Sequence, residues 1–360
     1  MLGLEAWAKS SLGSFRSGTD ASVQCALPWT SNHIGFAVRP TASTSPSHDD
    51  EGKEQSGSRR HAAVQCSMPW MAHDIIVPPA PAIGEPIAAG VPIVEGSVVD
   101  LQGTSITELP AWVSVQNPNL TTLKMRNCAR LTALPKIDAL TMLERLELGN
   151  ASSLSELPPT VGKLGKLQTL KLDHCQRLTT LPSTMDGLCV LITLDVSYCD
   201  SLTTLPPLTG LAKLQTLDAS HCPRLASLPE VRELRMLVTL NVSSCGSLTT
   251  LPPLTGMGKL QTLNASHCAK LSALPMQMDG LPLQTLDVSF CILLVELPEA
   301  VSKLSALQTL TLHRCDALSR IPHLGGLVSL VTLDVSSCGA LVMLAPFAGL
   351  TKLQTLNASR

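Results

Sequence analysis

Nine of the twelve cysteines occupy one position of a repeating pattern: Cys128, Cys175, Cys199, Cys222, Cys245, Cys268, Cys291, Cys315 and Cys338. Clustered thiolates would bind zinc, and paired thiols would form disulfides. This spacing suits neither. The steps are 23 or 24 residues, doubled once where Ala151 fills the position, and no CxxC or Cys/His cluster at zinc spacing exists. Thiols stacked in register also lack the geometry of a cross-link. The pattern predicts a column of small, buried, free thiols that donate weakly to carbonyls of the adjacent coil. Such a column fits a reducing compartment. Cys25, Cys66 and Cys189 lie outside the pattern.

Serine, histidine and aspartate are abundant because the repeat multiplies them, so their co-occurrence defines no catalytic triad. The sequence holds no G-x-x-x-x-G-K-[ST], no G-x-G-x-x-G, no H-E-x-x-H and no G-x-S-x-G. No catalytic residue, cofactor site, metal site or small-molecule substrate is therefore expected. His174, His221 and His267 recur in alternate units. Simple stacking puts them about 10 Å apart, too far to share one metal ion. They read as surface polar residues available for contacts.

The element that positions all of these is a unit L-x-x-L-x-L/A/V-x-x-C-x-x-L-x-x-L-P. Its first leucine recurs from Leu120 to Leu353 at steps of 23 or 24 residues, and a degenerate copy (Val99, Leu101, Thr104, Ile106, Leu109, Pro110) precedes it. A fixed period of this length marks a solenoid whose units cannot bury their apolar face alone. The L-x-L step has the period of a strand. Leu240 and Val242 are expected to point inward, and Thr239, Asn241 and Ser243 outward. Pro252 and its counterparts follow the last core leucine and suit an extended return leg. That leg is about seven residues long, enough for loops or single helical turns. Trp112 is expected to cover the open N-terminal end of the core. A second period of 46 residues, from Leu214 to Leu260, marks duplication of unit pairs.

Stacked strands would line up three outward columns. One is threonine, including Thr193 and Thr216. The next is acidic or amide: Asp195, Asp218, Asn241, Asn264, Asp287 and Asp334. The third is serine, including Ser197 and Ser220. At the strand ends His221 and His267 share a column with the irregular Tyr198, Phe290 and Arg314. These fifteen residues are the expected partner-binding set, since sheet faces of curved solenoids supply extended binding surfaces. A partner there should bring basic or hydroxyl-bearing groups. The competing reading is a merely solvated face.

Three regions follow. Residues 1–74 are expected to be mostly disordered, because residues 40–61 lack large apolar side chains. They carry a duplicated motif, SVQCALPW and AVQCSMPW, readable as two docking peptides or as duplication without selected function. Residues 75–96 read as a Pro-rich linker rather than a membrane span, given five prolines and Glu85 within 75–94. Residues 97–360 form the repeat domain, about twelve units, the first degenerate and the last truncated. Formal net charge is −2 with 15% charged residues, which leaves no electrostatic footprint for nucleic acid. A Ser-rich N-terminus with Glu5 and Asp20 as its acids has a faint organelle-transit flavour, but a secretory signal is not evident. The expected location is cytoplasmic. The sequons at Asn119, Asn150, Asn241, Asn264 and Asn357 then read as exposed strand or turn positions rather than glycan sites.

LVTLNVSSCGSLTTLPPLTG and VVDLQGTSITELP resemble leucine-rich repeats. They are similar in particular to the Cys-and-Leu-Pro repeats of plant intracellular nucleotide-binding leucine-rich-repeat disease-resistance receptors. The resemblance covers about residues 98–360. It implies an α/β solenoid: a horseshoe with a parallel β-sheet on the concave face and turns, loops or single helical turns on the convex face. It also implies a protein-binding role. Nucleotide binding and immune signalling do not carry over, because no nucleotide-binding or Toll-type domain precedes the repeats. The expected function is a non-catalytic, intracellular receptor- or adaptor-type module, in defence or signalling. The alternatives are a secreted, glycosylated surface receptor, an ice-binding solenoid using the threonines, or the targeting part of a larger enzyme.

Overall fold

The structure, a computed structural model, describes residues 93–135, 137–343 and 348–359. The expectations for residues 1–74, for most of the linker and for the duplicated motif lie outside the described residues. Thirteen strands form one sheet in sequence order. β1 (Ile93–Glu95) and β2 (Val98–Asp100) are followed by β3 (Thr122–Lys124), β4 (Arg145–Glu147), β5 (Thr169–Lys171), β6 (Thr193–Asp195) and β7 (Thr216–Asp218). Then come β8 (Thr239–Asn241), β9 (Thr262–Asn264), β10 (Thr285–Asp287), β11 (Thr309–Thr311), β12 (Thr332–Asp334) and β13 (Thr355–Asn357).

From β2 to β13 every pairing is parallel and in register, Val99 on Leu123 at the first step and leucine on leucine thereafter. The N-terminal edge departs from the expected all-parallel sheet. β1 pairs antiparallel with β2 through a turn at Gly96, whose φ is 57°. This hairpin takes the edge hydrogen bonds of the first unit, a common way to close a sheet against unwanted pairing. Trp112 packs, half-buried, against the core. It does so from α1 (Ala111–Gln116), on the return leg of the first unit.

From β3 onward each strand is three residues long, with its central leucine as the inward residue and, in most coils, an Asp, Asn or Lys then starting the turn. Leu194, Leu217, Leu240 and Leu263 are wholly buried, as are Val196 and Val242 two residues on. Burying each such side chain stabilises by roughly 1.5–3 kcal/mol, which is the main driving force for stacking. Among the described residues five of the outer legs carry a short 3-10 helix, and the legs from β6 to β10 are turns and loops. Pro159–Lys163, Ser183–Gly187 and Glu299–Lys303 each follow a proline in extended conformation, with φ between −63° and −67°. Neighbouring outer turns pack so closely that a Cβ on Gly187 would sit 2.0 Å from the Gly162 carbonyl oxygen.

The thiols form the column that their spacing predicts. Each of the nine donates to a backbone carbonyl 26 or 27 residues earlier, at 3.1–3.4 Å; Cys245 to Ala219 and Cys268 to Val242 are typical. All nine are buried and free, whereas Cys189 is exposed. Burial pushes the thiols of Cys175, Cys222 and Cys315 up to about 12 and that of Cys268 up to about 11. These groups stay protonated when folded at pH values where the unfolded chain would ionise them, from near 9.0 upward. The unfolded state then binds fewer protons, so stability is complete below that window and falls as pH rises through it. Urea unfolding midpoints should therefore be level up to about pH 8 and decline above about pH 9. Cys222→Ala with Cys268→Ala should flatten that decline. An unchanged slope in the double variant would sink the assignment to the thiols.

Candidate functional site

The sheet face is built from the strand positions that do not point into the core. The threonines Thr193, Thr216, Thr239, Thr262, Thr285, Thr309 and Thr332 are half-buried and pair directly across the strands. The residue before each threonine forms a column that the sequence reading missed: Ile192, Gln215, Val238, Gln261, Gln284, Gln308 and Val331, with Gln168 before Thr169 continuing it. Backbone bonds such as Gln215 N–H to Ile192 O (2.8 Å) and Gln261 N–H to Val238 O (2.9 Å) carry the ladder one residue beyond the strands. The signal was present in the alternation of LQTL with LITL and LVTL.

The acid-and-amide column is where expected, but the serine column is not outward. Ser197, Ser220, Ser243, Ser266, Ser289 and Ser336 are only 2–9% exposed. The cause is the turn that ends each strand. Asp195 Oδ1 accepts the Ser197 N–H at 3.1 Å and its hydroxyl at 2.7 Å. Asp218 holds Ser220 likewise at 2.9 and 2.6 Å, and Asn264 holds Ser266 at 3.0 and 2.8 Å. These Asx turns fold the serine under the carboxylate instead of continuing the strand alternation. Ser197 and Ser220 are thus buried supports of Asp195 and Asp218, not contact residues. Asn241 is also buried, at 8% exposure; its Nδ2 donates to Asp218 Oδ2 at 3.1 Å. Asn357 donates to Asp334 in the same way, at 3.2 Å. At both sequons the nitrogen that a glycan would need is therefore engaged.

The second column thus presents carboxylates held rigidly by their own turns. Asp195 is raised above the usual carboxylate range by burial, with Asp218 and Asp173 adding and the Ser197 hydrogen bonds opposing. Toward the N-terminus an ion pair replaces the serines. Arg126 makes a two-point contact to Asp173, at 3.2 and 2.8 Å, across the intervening coil. Gly149 lies between them, and a Cβ there would fall 2.6 Å from Asp173 Oδ1 and 2.9 Å from Arg126 Cζ.

At the end of the strands a third feature emerges that spacing alone did not reveal. Asn127, Asn150, His174, Tyr198, His221, Ser244, His267, Phe290, Arg314 and Ser337 all have φ between 54° and 61°. Ten non-glycine residues in the left-handed region at one repeat position are held there by the stacking of the coils. Their N–H groups bond to the next coil, as in Tyr198 to Ser220 O (2.9 Å) and His221 to Ser243 O (2.7 Å). The side chains are brought face to face. Tyr198 lies 4.3 Å from His174 and 4.2 Å from His221, with interplanar angles of 8° and 4°. His267 and Phe290 stack at 4.1 Å and 13°. Arg314 lies 5.5 Å over the Phe290 ring, and His313 meets its edge at 5.0 Å. The histidines read as isolated surface residues are therefore members of aromatic runs. Burial lowers His221 below the ordinary imidazole range; Asp218 opposes the shift, and His267 and His174 add to it.

Among the described residues no group of three or more His, Cys, Asp or Glu is arranged to hold a metal ion. Likewise, no helix among them is long and apolar enough to cross a membrane.

No protein-family model and no curated protein matches the sequence. Solved structures do. The leucine-rich effector protein YopM from Yersinia pestis aligns at 24% identity with a TM-score of 0.52, over 73% of this chain and 66% of that one. The leucine-rich repeat domain of the type III effector XopL aligns at 22% identity and 0.46, over 67% of this chain and 74% of that one. Toll, in its complex with Spatzle from Drosophila, aligns at 18% and 0.43, over 72% and 42%. Together with the thirteen-stranded sheet, the likeness to YopM establishes the fold as a leucine-rich repeat solenoid.

The Asx turns yield a direct test. Asp195→Ala leaves the buried Ser197 N–H and hydroxyl without their acceptor and should cost about 1–3 kcal/mol. Asp195→Asn keeps that acceptor, as Asn264 does for Ser266, and should cost much less. Thermal unfolding of both variants measures the difference, and equal losses would contradict a capping role for the carboxylate.

Proposed function

We propose that the chain is a non-catalytic module that binds a basic protein partner across its sheet face. One observation carries this reading. Asp195, Asp218, Asp287 and Asp334 stand in one column of a continuous sheet, each fixed by the Ser N–H two residues on. Carboxylates already oriented by the fold lose little side-chain entropy when a partner's Lys or Arg engages them. The half-buried Thr column and the exposed Gln residues beside them extend a polar surface suited to a peptide backbone or hydroxyl groups. Opposite charge across such a surface contributes specificity and association rate.

We place the module in a reducing, intracellular compartment. The column of buried free thiols supports this, as do the engaged side chains of Asn241 and Asn357. The similarity of its repeats to those of plant intracellular receptors suggests a receptor or adaptor in defence or signalling, and that kinship rests on the sequence pattern. Of the fifteen residues expected to meet the partner, Thr193, Asp195, Tyr198, Thr216, Asp218, His221, Asn264, His267, Asp287, Phe290, Arg314 and Asp334 remain in the proposed surface.

The full chain serves as bait, beside a variant with Asp195 and Asp287 changed to Asn, the two that accept no bond from a neighbouring Asn side chain, unlike Asp218 and Asp334. Asn keeps the strand-end turn, so the variant removes charge without removing the cap. A partner captured by the first should bind the second at least tenfold more weakly, with the melting temperature little changed. Equal binding by both baits would defeat the acidic-face reading.

A further inference from the structure

The aromatic edge column is interrupted once within its ring-bearing stretch. Rings stand at His174, Tyr198 and His221, then at His267 and Phe290, and Ser244 lies between the two runs. Ser244 shares the backbone of its neighbours: its φ is 58°, and its N–H bonds to Ser266 O at 2.7 Å. The coils therefore stay in step through it, and what is missing is a ring. Each filled step of the column is 4.1–4.3 Å. His221 and His267 are two coils apart, as His174 and His221 are, so two such steps separate them, about 8.5 Å between ring centres. That is the separation Tyr198 fills on one side of His221.

The charge beside this gap is patterned. The coil of Ser244 and the coil after it carry neutral amides, Asn241 and Asn264, while Asp218 stands one coil before the gap and Asp287 two coils after it. Three strand spacings put those two carboxylates about 14 Å apart. A peptide with an aromatic residue between two basic residues, each two positions away, spans about the same distance when extended, and the long Lys or Arg side chains take up the one-coil difference between the two sides. Nucleic acid is the poorer match, because its phosphates would face the two aspartates.

We propose that the slot between His221 and His267, floored by Ser244, takes one aromatic side chain of a protein partner whose flanking Lys or Arg residues engage Asp218 and Asp287. The inserted ring completes the stack, with an imidazole on each face, and a tyrosine hydroxyl would reach the Ser244 hydroxyl at the floor. The inference rests on the sheet face being a protein-binding face and names what that face recognises.

The test fills the slot from within. Ser244→Tyr places a ring on a backbone that already carries one at Tyr198 and Phe290, with φ of 58° and 60°, so the variant should fold and stack. Ser244→Ala leaves the slot open. The probe is acetyl-Lys-Gly-Trp-Gly-Lys-amide, titrated against full-length protein while the imidazole proton resonances of His221 and His267 are followed. Ring-current shifts at both histidines are expected in wild type and in Ser244→Ala, with binding at least tenfold weaker in Ser244→Tyr. The leucine counterpart of the peptide should produce no such shifts. Shifts that persist in Ser244→Tyr, or that are absent from wild type, would overturn the proposal. So would adenosine monophosphate moving both imidazoles where the tryptophan peptide does not. Ser244 carries no charge, so a failure here is separable from a failure of the acidic face, which the aspartate-to-asparagine variant tests.

Discussion

A coil of 23 residues cannot enclose its own leucines; it buries them only against the coils on either side. That dependence governs the other features of the molecule. Leu240 is wholly buried because Leu217 and Leu263 pair with it in register. The same register puts each thiol within 3.1–3.4 Å of a carbonyl of an earlier coil. It also holds ten residues at positive φ, through N–H bonds to the coil that follows. Inside such a stack a buried polar group needs a partner in its own turn or in the coil next door. The aspartate–serine turns use the first solution and the cysteines use the second.

This division explains which parts of the structure were legible in the sequence. The period, the inward leucines, the thiol column and the short outer turns all follow from one unit repeated, and each is visible in a single copy. The serines were misplaced because strict alternation was carried past the strand. β7 ends at Asp218, and the Asp218 carboxylate then takes the Ser220 N–H and hydroxyl. A side chain that bonds its own backbone competes with the continuation of a strand, and the D-x-S spacing does not announce which will win. The antiparallel β1 left no trace in the repeat because Ile93–Glu95 belongs to no unit.

The edge column was harder to read for a different reason. His174, His221 and His267 drew notice as a recurrence, and Tyr198 and Phe290 as exceptions to it. In space they occupy one edge column, since the left-handed turn at the same place in each coil sets ring against ring in two runs, His174–Tyr198–His221 and His267–Phe290. Recurrence in alternate units hid continuity between successive units. The ion pair of Arg126 with Asp173 has the same character: it joins residues 47 apart over Gly149, and only the stacking of three coils brings them together.

A regular face recognises little by itself, because a partner can slide one coil at small cost. Recognition needs a position where the ladder is broken. The 46-residue block places Tyr198, Ser244 and Phe290 at equivalent positions, with His221 and His267 between them. Duplication that kept the aromatic at all three would have produced an unbroken stack with no ring face free. The serine leaves two imidazole faces unstacked and a space one ring thick. Beside it the carboxylate column changes to amides at Asn241 and Asn264 and resumes at Asp287. Both columns thus lose their regularity together at the coil of Asn241 and Ser244, which gives a bound chain a register there.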